Sequence, residues 1–159
     1  MVVREIQPGD NAGIAEVIRD VLIHDMGAPK KGTAYEDPSV DFMYEAYSAE
    51  RSVYFVIADE GTIIGGGGIA ALAGGDGTVC ELQKMYFRKQ ARGLGLGRRI
   101  MELCLDKARD FGFEHCYIET MPYMEAAQQL YLKSGFRYLD APMGNTGHSS
   151  CPVWMLKTL

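Results

Sequence analysis

The sequence contains no run approaching the ~20 apolar residues that a bilayer-crossing helix needs, so a membrane span is excluded. Its first ten residues carry Arg4, Glu5 and Asp10 and no apolar stretch of signal-peptide length, so the chain reads as cytosolic. Paired cysteine spacing is missing as well. Cys80, Cys104, Cys116 and Cys151 form no C-x-x-C, and three of them sit in apolar stretches, where reduced buried thiols are expected rather than disulfides. His148 and Cys151 find no second pair to complete a zinc site, so no metal is expected. There is no internal repeat, low-complexity tract or linker. The 159 residues are therefore read as one domain, 1–159, long enough to bury a continuous core. An apolar fraction of 47% and a charged fraction of 23% place it among ordinary globular proteins.

Acidic residues are absent from one stretch of an otherwise acidic chain. Lys84 to Arg99 holds six basic side chains and no Asp or Glu, while the remaining residues hold 10 basic and 21 acidic ones. Positive charge gathered at one point suggests a local anion site. A nucleic-acid surface would make the whole domain basic, so no nucleic-acid partner is expected. A solvated basic turn would look the same by charge alone.

Val2 to Ile6 reads as a strand stopped by Pro8-Gly9. Asp10 is placed to N-cap a helix whose apolar stripe is Ile14, Val17, Ile18, Val21 and Leu22. Asp37-Pro38 opens a second helix through about Tyr47. Ser52–Ala58 and Thr62–Ala70 form a hairpin across Asp59-Glu60-Gly61, and Gly65 to Gly68 inside it marks a bulge or a close backbone approach. Thr78–Phe87 is the next strand. Leu96 to about Phe111 is a helix with Ile100, Leu103, Cys104 and Lys107 on one face, ended by Gly112. Cys116–Thr120 is a buried strand, Glu125–Ser134 a helix closed by Gly135, and Phe136–Leu139 and Val153–Leu156 are the last strands. The order β-α-α-β-β-β-α-β-α-β-β predicts an α/β (α+β) fold: a mixed sheet flanked by helices.

The run Arg92-Gly93-Leu94-Gly95-Leu96-Gly97-Arg98-Arg99 lies between a strand and a long amphipathic helix. Helix N-termini present unpaired N–H groups and the positive end of the dipole, and glycines let a phosphate approach the backbone. Arg92, Arg98 and Arg99 add charge there, which suits a pyrophosphate. A Walker A loop needs Gly-Lys-Ser/Thr where this chain has Gly97-Arg98-Arg99, and a dinucleotide fingerprint needs glycine where Arg98 stands.

The Gln/Arg-x-x-Gly-x-Gly/Ala pattern at Arg92–Gly97 resembles the cofactor signature of the GNAT superfamily of acyl-CoA N-acyltransferases. Ala127-Gln128-Gln129-Leu130-Tyr131-Leu132-Lys133-Ser134-Gly135-Phe136 resembles its second hallmark, A-x-x-L-Y-x-x-x-G-F. Together they cover nearly the whole chain. The resemblance implies a mostly antiparallel GNAT-like sheet and acetyl-CoA as cosubstrate, with the pyrophosphate on Arg92, Gly93, Leu94, Gly95, Leu96, Gly97 and Arg98. It assigns the pantetheine arm to a splayed central strand at Met85, Tyr86 and Phe87. Met124 stands where many members have an asparagine that contacts the cofactor. Segments around Cys80–Phe87 and Thr146-Gly147-His148 are similar to a bacterial branch that also occurs fused to MarR-type regulators.

Acyl transfer to an amine requires a neutral amine, stabilisation of an oxyanion and a proton for the leaving thiolate. The resemblance makes Tyr131 the general acid, although its helical stripe with Ala127 and Leu130 would equally suit core packing. Glu81 is the candidate base, with a strand carboxylate exposed or bridged to Lys84 as the alternative. Glu119 is a rival. Acceptor contacts are expected from the Lys31–Asp37 loop, including Tyr35, and from Gly144–His148, including His148. A small-molecule primary amine is the expected partner, and edge strands near the C-terminus are compatible with a homodimer. The alternative function is a non-catalytic acyl-CoA-binding sensor or regulatory module.

Overall fold

The computed structural model describes all residues, 1–159. Seven strands form one sheet in the order β1-β2-β3-β4-β5-β7-β6: β1 Val2–Glu5, β2 Val53–Asp59, β3 Thr62–Ala71, β4 Val79–Phe87, β5 His115–Thr120, β6 Arg137–Tyr138 and β7 Val153–Thr158. Every pairing is antiparallel except β4 with β5. The helices are α1 Asn11–Asp20, α2 Met43–Ala46, α3 Leu96–Asp110 and α4 Glu125–Lys133. The expected order of elements is the observed one. No helix is long and apolar enough to cross a membrane.

Two apolar clusters sandwich the sheet. One packs Ile100, Met101, Cys104, Leu105 and Ala108 of α3, with Tyr131 of α4, against Phe55, Ile57, Ile69 and Leu82. The other packs the predicted α1 stripe, with Met43 and Tyr47, against Tyr54, Val56 and Ile63. The buried α3 face is rotated from the expected one: Leu103 is only half-buried and Lys107 pairs with Glu5 at 3.5 Å. Asp10 does not cap α1 with its side chain. Instead it accepts from the Gln7 amide at 2.8 Å and bridges Arg4 at 2.7 Å, fastening β1 to the entry of α1. α1 ends in a π-helical turn, Val21–Asp25, that keeps Val21 and Leu22 buried. The second helix is shorter than expected, because Pro38–Phe42 winds as a tighter 3-10 turn before α2. Cys80, Cys104 and Cys116 are buried thiols and Cys151 is half-buried.

The glycine run in β3 has a packing cause. The Tyr54 ring lies along β3, where a Cβ on Gly66 would sit 2.6 Å from it and one on Gly68 2.5 Å. The Tyr54 hydroxyl donates to the Lys84 carbonyl at 2.7 Å. Opposite it, β4 bulges. Gly66 pairs with Tyr86 and Gly68 with Gln83, so Gly67 faces both Lys84 and Met85, and Lys84 takes φ 50°. This bulge fixes which way β4 side chains point on either side of it.

Candidate active site

β4 and β5 pair only through Val79–His115, Cys80–Cys116 and Glu81–Tyr117. Beyond Glu81 the two strands part, and β4 has no ladder partner on that side through Phe87. The wedge opens on a cavity of about 470 Å³ between α3 and α4, with Met26 and Asp25 at its edge.

One end of this cavity is the glycine loop. Gly93 and Gly95 adopt φ 74° and 75°, which a side chain would strain, and Gly95 precedes the first turn of α3. The amides from 93 to 98 make no backbone hydrogen bond, and the first helical bond runs from the Arg99 amide to the Gly95 carbonyl at 3.0 Å. Unpaired amides and the positive end of a helix dipole therefore lie at this end of the cavity, where Gly93, Gly95, Leu96 and Gly97 line it. The arginines contribute less than their number suggests. Arg92 donates to the Phe87 carbonyl at 2.9 Å and to Asp25 at 2.8 Å, so it braces the loop. Arg98 pairs with Glu102, Arg88 with Glu16 and Asp20, and Lys89 with Asp25. Among the six basic residues of this stretch only Arg99 lacks an acidic partner, because Lys84 pairs with Asp37.

At the other end of the cavity stands Tyr131, 3% exposed, with its hydroxyl 3.9 Å from the Met85 sulfur and its ring tilted against Phe136. Burial pushes its pKa up, so it keeps its proton at neutral pH. Met85, Phe87, Arg92, Gly93, Gly95, Leu96 and Gly97 line the same cavity; Tyr86, Leu94 and Arg98 do not. Tyr86 points through the sheet toward α1, and Leu94 is exposed. Met124 lines the cavity and receives a hydrogen bond from the Thr120 hydroxyl at 3.4 Å.

Glu81 is neither an exposed carboxylate nor a partner of Lys84. It is 3% exposed, with His148 of the loop expected to meet the acceptor lying against it, and Lys84 instead bridges Asp37 at 3.1 Å. A chain of side chains holds it: the Tyr47 hydroxyl donates to Gln83 at 2.6 Å, and the Gln83 amide donates to Glu81 Oε1 at 2.7 Å. Oε2 accepts no hydrogen bond and lies 3.9 Å from His148 Nδ1. Burial, reinforced by Glu119, raises the Glu81 pKa to about 7 against the donation from Gln83. Burial and the Lys84 charge lower that of His148. Glu119 is half-buried, with its pKa raised by burial, and its Oε1 accepts from the Thr146 hydroxyl at 2.8 Å and the Tyr117 hydroxyl at 3.0 Å. Glu81, Glu119 and His148 thus come together. Tyr35 does not join them; it is half-buried beneath Lys30, 5.0 Å from its ring.

A splayed parallel pair, a glycine-lined helix N-terminus and a buried tyrosine facing one cavity form the architecture of a known group. The acetyltransferase (GNAT) family model matches residues 18–136. The chain belongs to the GNAT family. It is 41% identical to a protein named as the uncharacterized N-acetyltransferase YjgM of Escherichia coli K12, over 99% of this chain and 95% of that one. Among solved structures, a GNAT acetyltransferase from Staphylococcus aureus Mu50 superposes with TM-score 0.87 at 18% identity, covering 99% of this chain and 98% of that one. A putative acetyltransferase from Salmonella typhimurium, solved with its cofactor acetyl-CoA, superposes with TM-score 0.79 at 22% identity, covering 100% and 94%. As a GNAT protein the chain is an acyltransferase dependent on acetyl-CoA. The bracing residues Tyr54, Tyr47, Gln83 and Asp25 were missed in the sequence because each has a partner 30 or more residues away. The polar face they make has no periodic signature.

Proposed function

We propose that this chain, acting as one acetyltransferase domain, transfers an acetyl group to a primary amine on a small molecule by direct attack, with Glu81 as base and Tyr131 as general acid. The observation that carries the reading is the β4–β5 wedge. Immediately past their last shared pair, it sets a protonated tyrosine and unpaired amides of the glycine loop around one cavity, and the last pair itself carries a buried carboxylate, Glu81.

The cavity and the six unpaired amides fit a pyrophosphate-bearing cofactor arm, with Gly93, Gly95, Leu96 and Gly97 at the phosphates and the unpaired edge of β4 at Met85 and Phe87 beside the pantetheine. When bound, acetyl-CoA supplies the thioester acyl group. Glu81 takes a proton from the acceptor's ammonium, and a base with a pKa of about 7 is matched to that task at neutral pH. The free amine attacks the acyl carbon and a C–N bond forms; the nitrogen releases its second proton to solvent as the C–S bond breaks. Tyr131 delivers its hydroxyl proton to the leaving sulfur and recovers one from solvent. Amides on the open edge of β4 meet the developing oxyanion.

The test is chromatographic measurement of CoA released from acetyl-CoA across a panel of amines, with Tyr131→Phe alongside and acetyl-CoA binding followed by calorimetry. Turnover should fall by about a hundredfold or more in the variant, the scale of a lost general acid, with cofactor affinity retained. Binding without turnover across the panel would favour the sensor, and absence of binding would overturn the reading.

A further inference from the structure

A second cleft of about 280 Å³ lies across the β5 end from the cofactor cavity, between the 142–152 loop and β7, with Glu119, Met143, His148, Cys151 and Trp154 in its wall. It contains no lysine or arginine. The cation in the adjoining polar network, Lys84, has a side chain only 6% exposed and is committed to Asp37. His148, its imidazole held neutral by burial and by Lys84, offers no charge either. An acceptor bearing a carboxylate or phosphate would have nothing here to pair with, and would face Glu119 in the wall with Glu81 behind His148, 3.9 Å from its imidazole.

The carboxylates have open valences. Both hydroxyl donors to Glu119 go to Oε1, leaving Oε2 without a hydrogen bond. Glu81, almost fully buried, also has one oxygen without a hydrogen bond, on the side of His148. No buried side-chain oxygen or nitrogen is orphaned, so both free oxygens keep solvent access. The wall beside Glu119 includes Met143 and Trp154 among mostly small and polar residues, and a Trp face attracts an organic cation.

Resting on the acyl-transfer reading above, we infer that the acceptor is a diamine: one amine reacts at Glu81 while a second ammonium pairs with Glu119 Oε2 and the carbon chain lies against Trp154 and Met143. The two carboxylates then have different duties. Glu81 titrates during turnover, whereas Glu119 stays ionised against the distal cation and sets specificity.

Glu119→Gln separates this from a merely structural role, because the amide oxygen can still accept from Thr146 and Tyr117. Alkane diamines of roughly three to six carbons and the matching monoalkylamines are compared by kcat/KM, with α-amino acids as a third class. The wild type should prefer the diamine over the monoamine by about tenfold or more, the scale of a charged hydrogen bond. Glu119→Gln should erase that preference, read as the ratio of diamine to monoamine kcat/KM at one pH, because Glu119 also raises the Glu81 pKa and its loss acts on both amines alike. Trp154 is the sole tryptophan, so its fluorescence reports binding in this cleft without turnover. Saturable quenching by the diamine that is lost in Glu119→Gln supports the inference even if no acetylation occurs, in which case the transfer reading fails alone. Turnover that favours amino acids or monoamines, or a diamine preference that survives Glu119→Gln, overturns the inference and leaves the transfer reading standing.

Discussion

At the scale of single residues, the site depends on a few side chains in positions that their neighbours define. Glu81 shares its side of β4 with Gln83, and alternation alone makes both polar outward residues. What buries Glu81 is the 142–152 loop, about 60 residues further along the chain. Its consequence is kinetic. With a folded-state pKa of about 7, Glu81 loses its proton as pH rises, so kcat/KM should climb through neutrality. In Glu81→Gln that limb should vanish from the pH profile, leaving only the acceptor's own titration. Gly68 makes a second test. Alanine there would put a Cβ 2.5 Å from both the Tyr54 ring and the Val53 carbonyl, and backbone cannot yield as a flexible side chain can. We expect Gly68→Ala to lower stability by roughly 1–3 kcal/mol in denaturant unfolding. Tyr54→Phe, which loses one hydrogen bond, should cost about 1 kcal/mol.

At the scale of elements, the sequence was most legible where periodicity and punctuation agree. The α1 stripe Ile14, Val17, Ile18, Val21 and Leu22 is fully buried, and Glu60-Gly61, both at positive φ, turn the predicted hairpin. Gly112 and Gly135, at φ 82° and 95°, end α3 and α4 as read. Legibility failed where tertiary contacts choose among local options. β6 shrinks to Arg137–Tyr138 because β7 pairs with only those two residues, and the charge of Arg92 is spent on Asp25, which the sequence does not place beside it. The Gly65–Gly68 run marked a bulge at this point, but nothing in Lys84 announces that the extra residue sits in β4 at positive φ. Asp37 supports it. Replacing Asp37 with Asn leaves the Lys84 ammonium buried without its counter-charge, so Asp37→Asn should destabilise the fold by about 2 kcal/mol. That is less than for a dry pair, because Asp37 keeps some solvent contact.

At the scale of the whole molecule, proton and ligand binding act on the fold as well as on the reaction. Glu81 binds its proton more tightly folded than unfolded, at about 7 against an ordinary 4.5. Its contribution to stability is therefore full below pH 4.5 and falls away as pH rises to about 7, by about 3 kcal/mol at most. Thermal unfolding of Glu81→Gln should lack that decline, so the two melting curves should be closest in acid and diverge toward neutral pH. Long-range fastening also has a dynamic side. Ser150 reaches 119 residues back along the chain, its hydroxyl donating to the Lys31 carbonyl at 2.8 Å and its amide to the Gly32 carbonyl at 3.1 Å. The segment after α1 and the segment before β7 are thereby laced edge to edge. Neither flap can swing without tearing the other's stitches, so both should exchange their amide hydrogens together, as one door with two hinges.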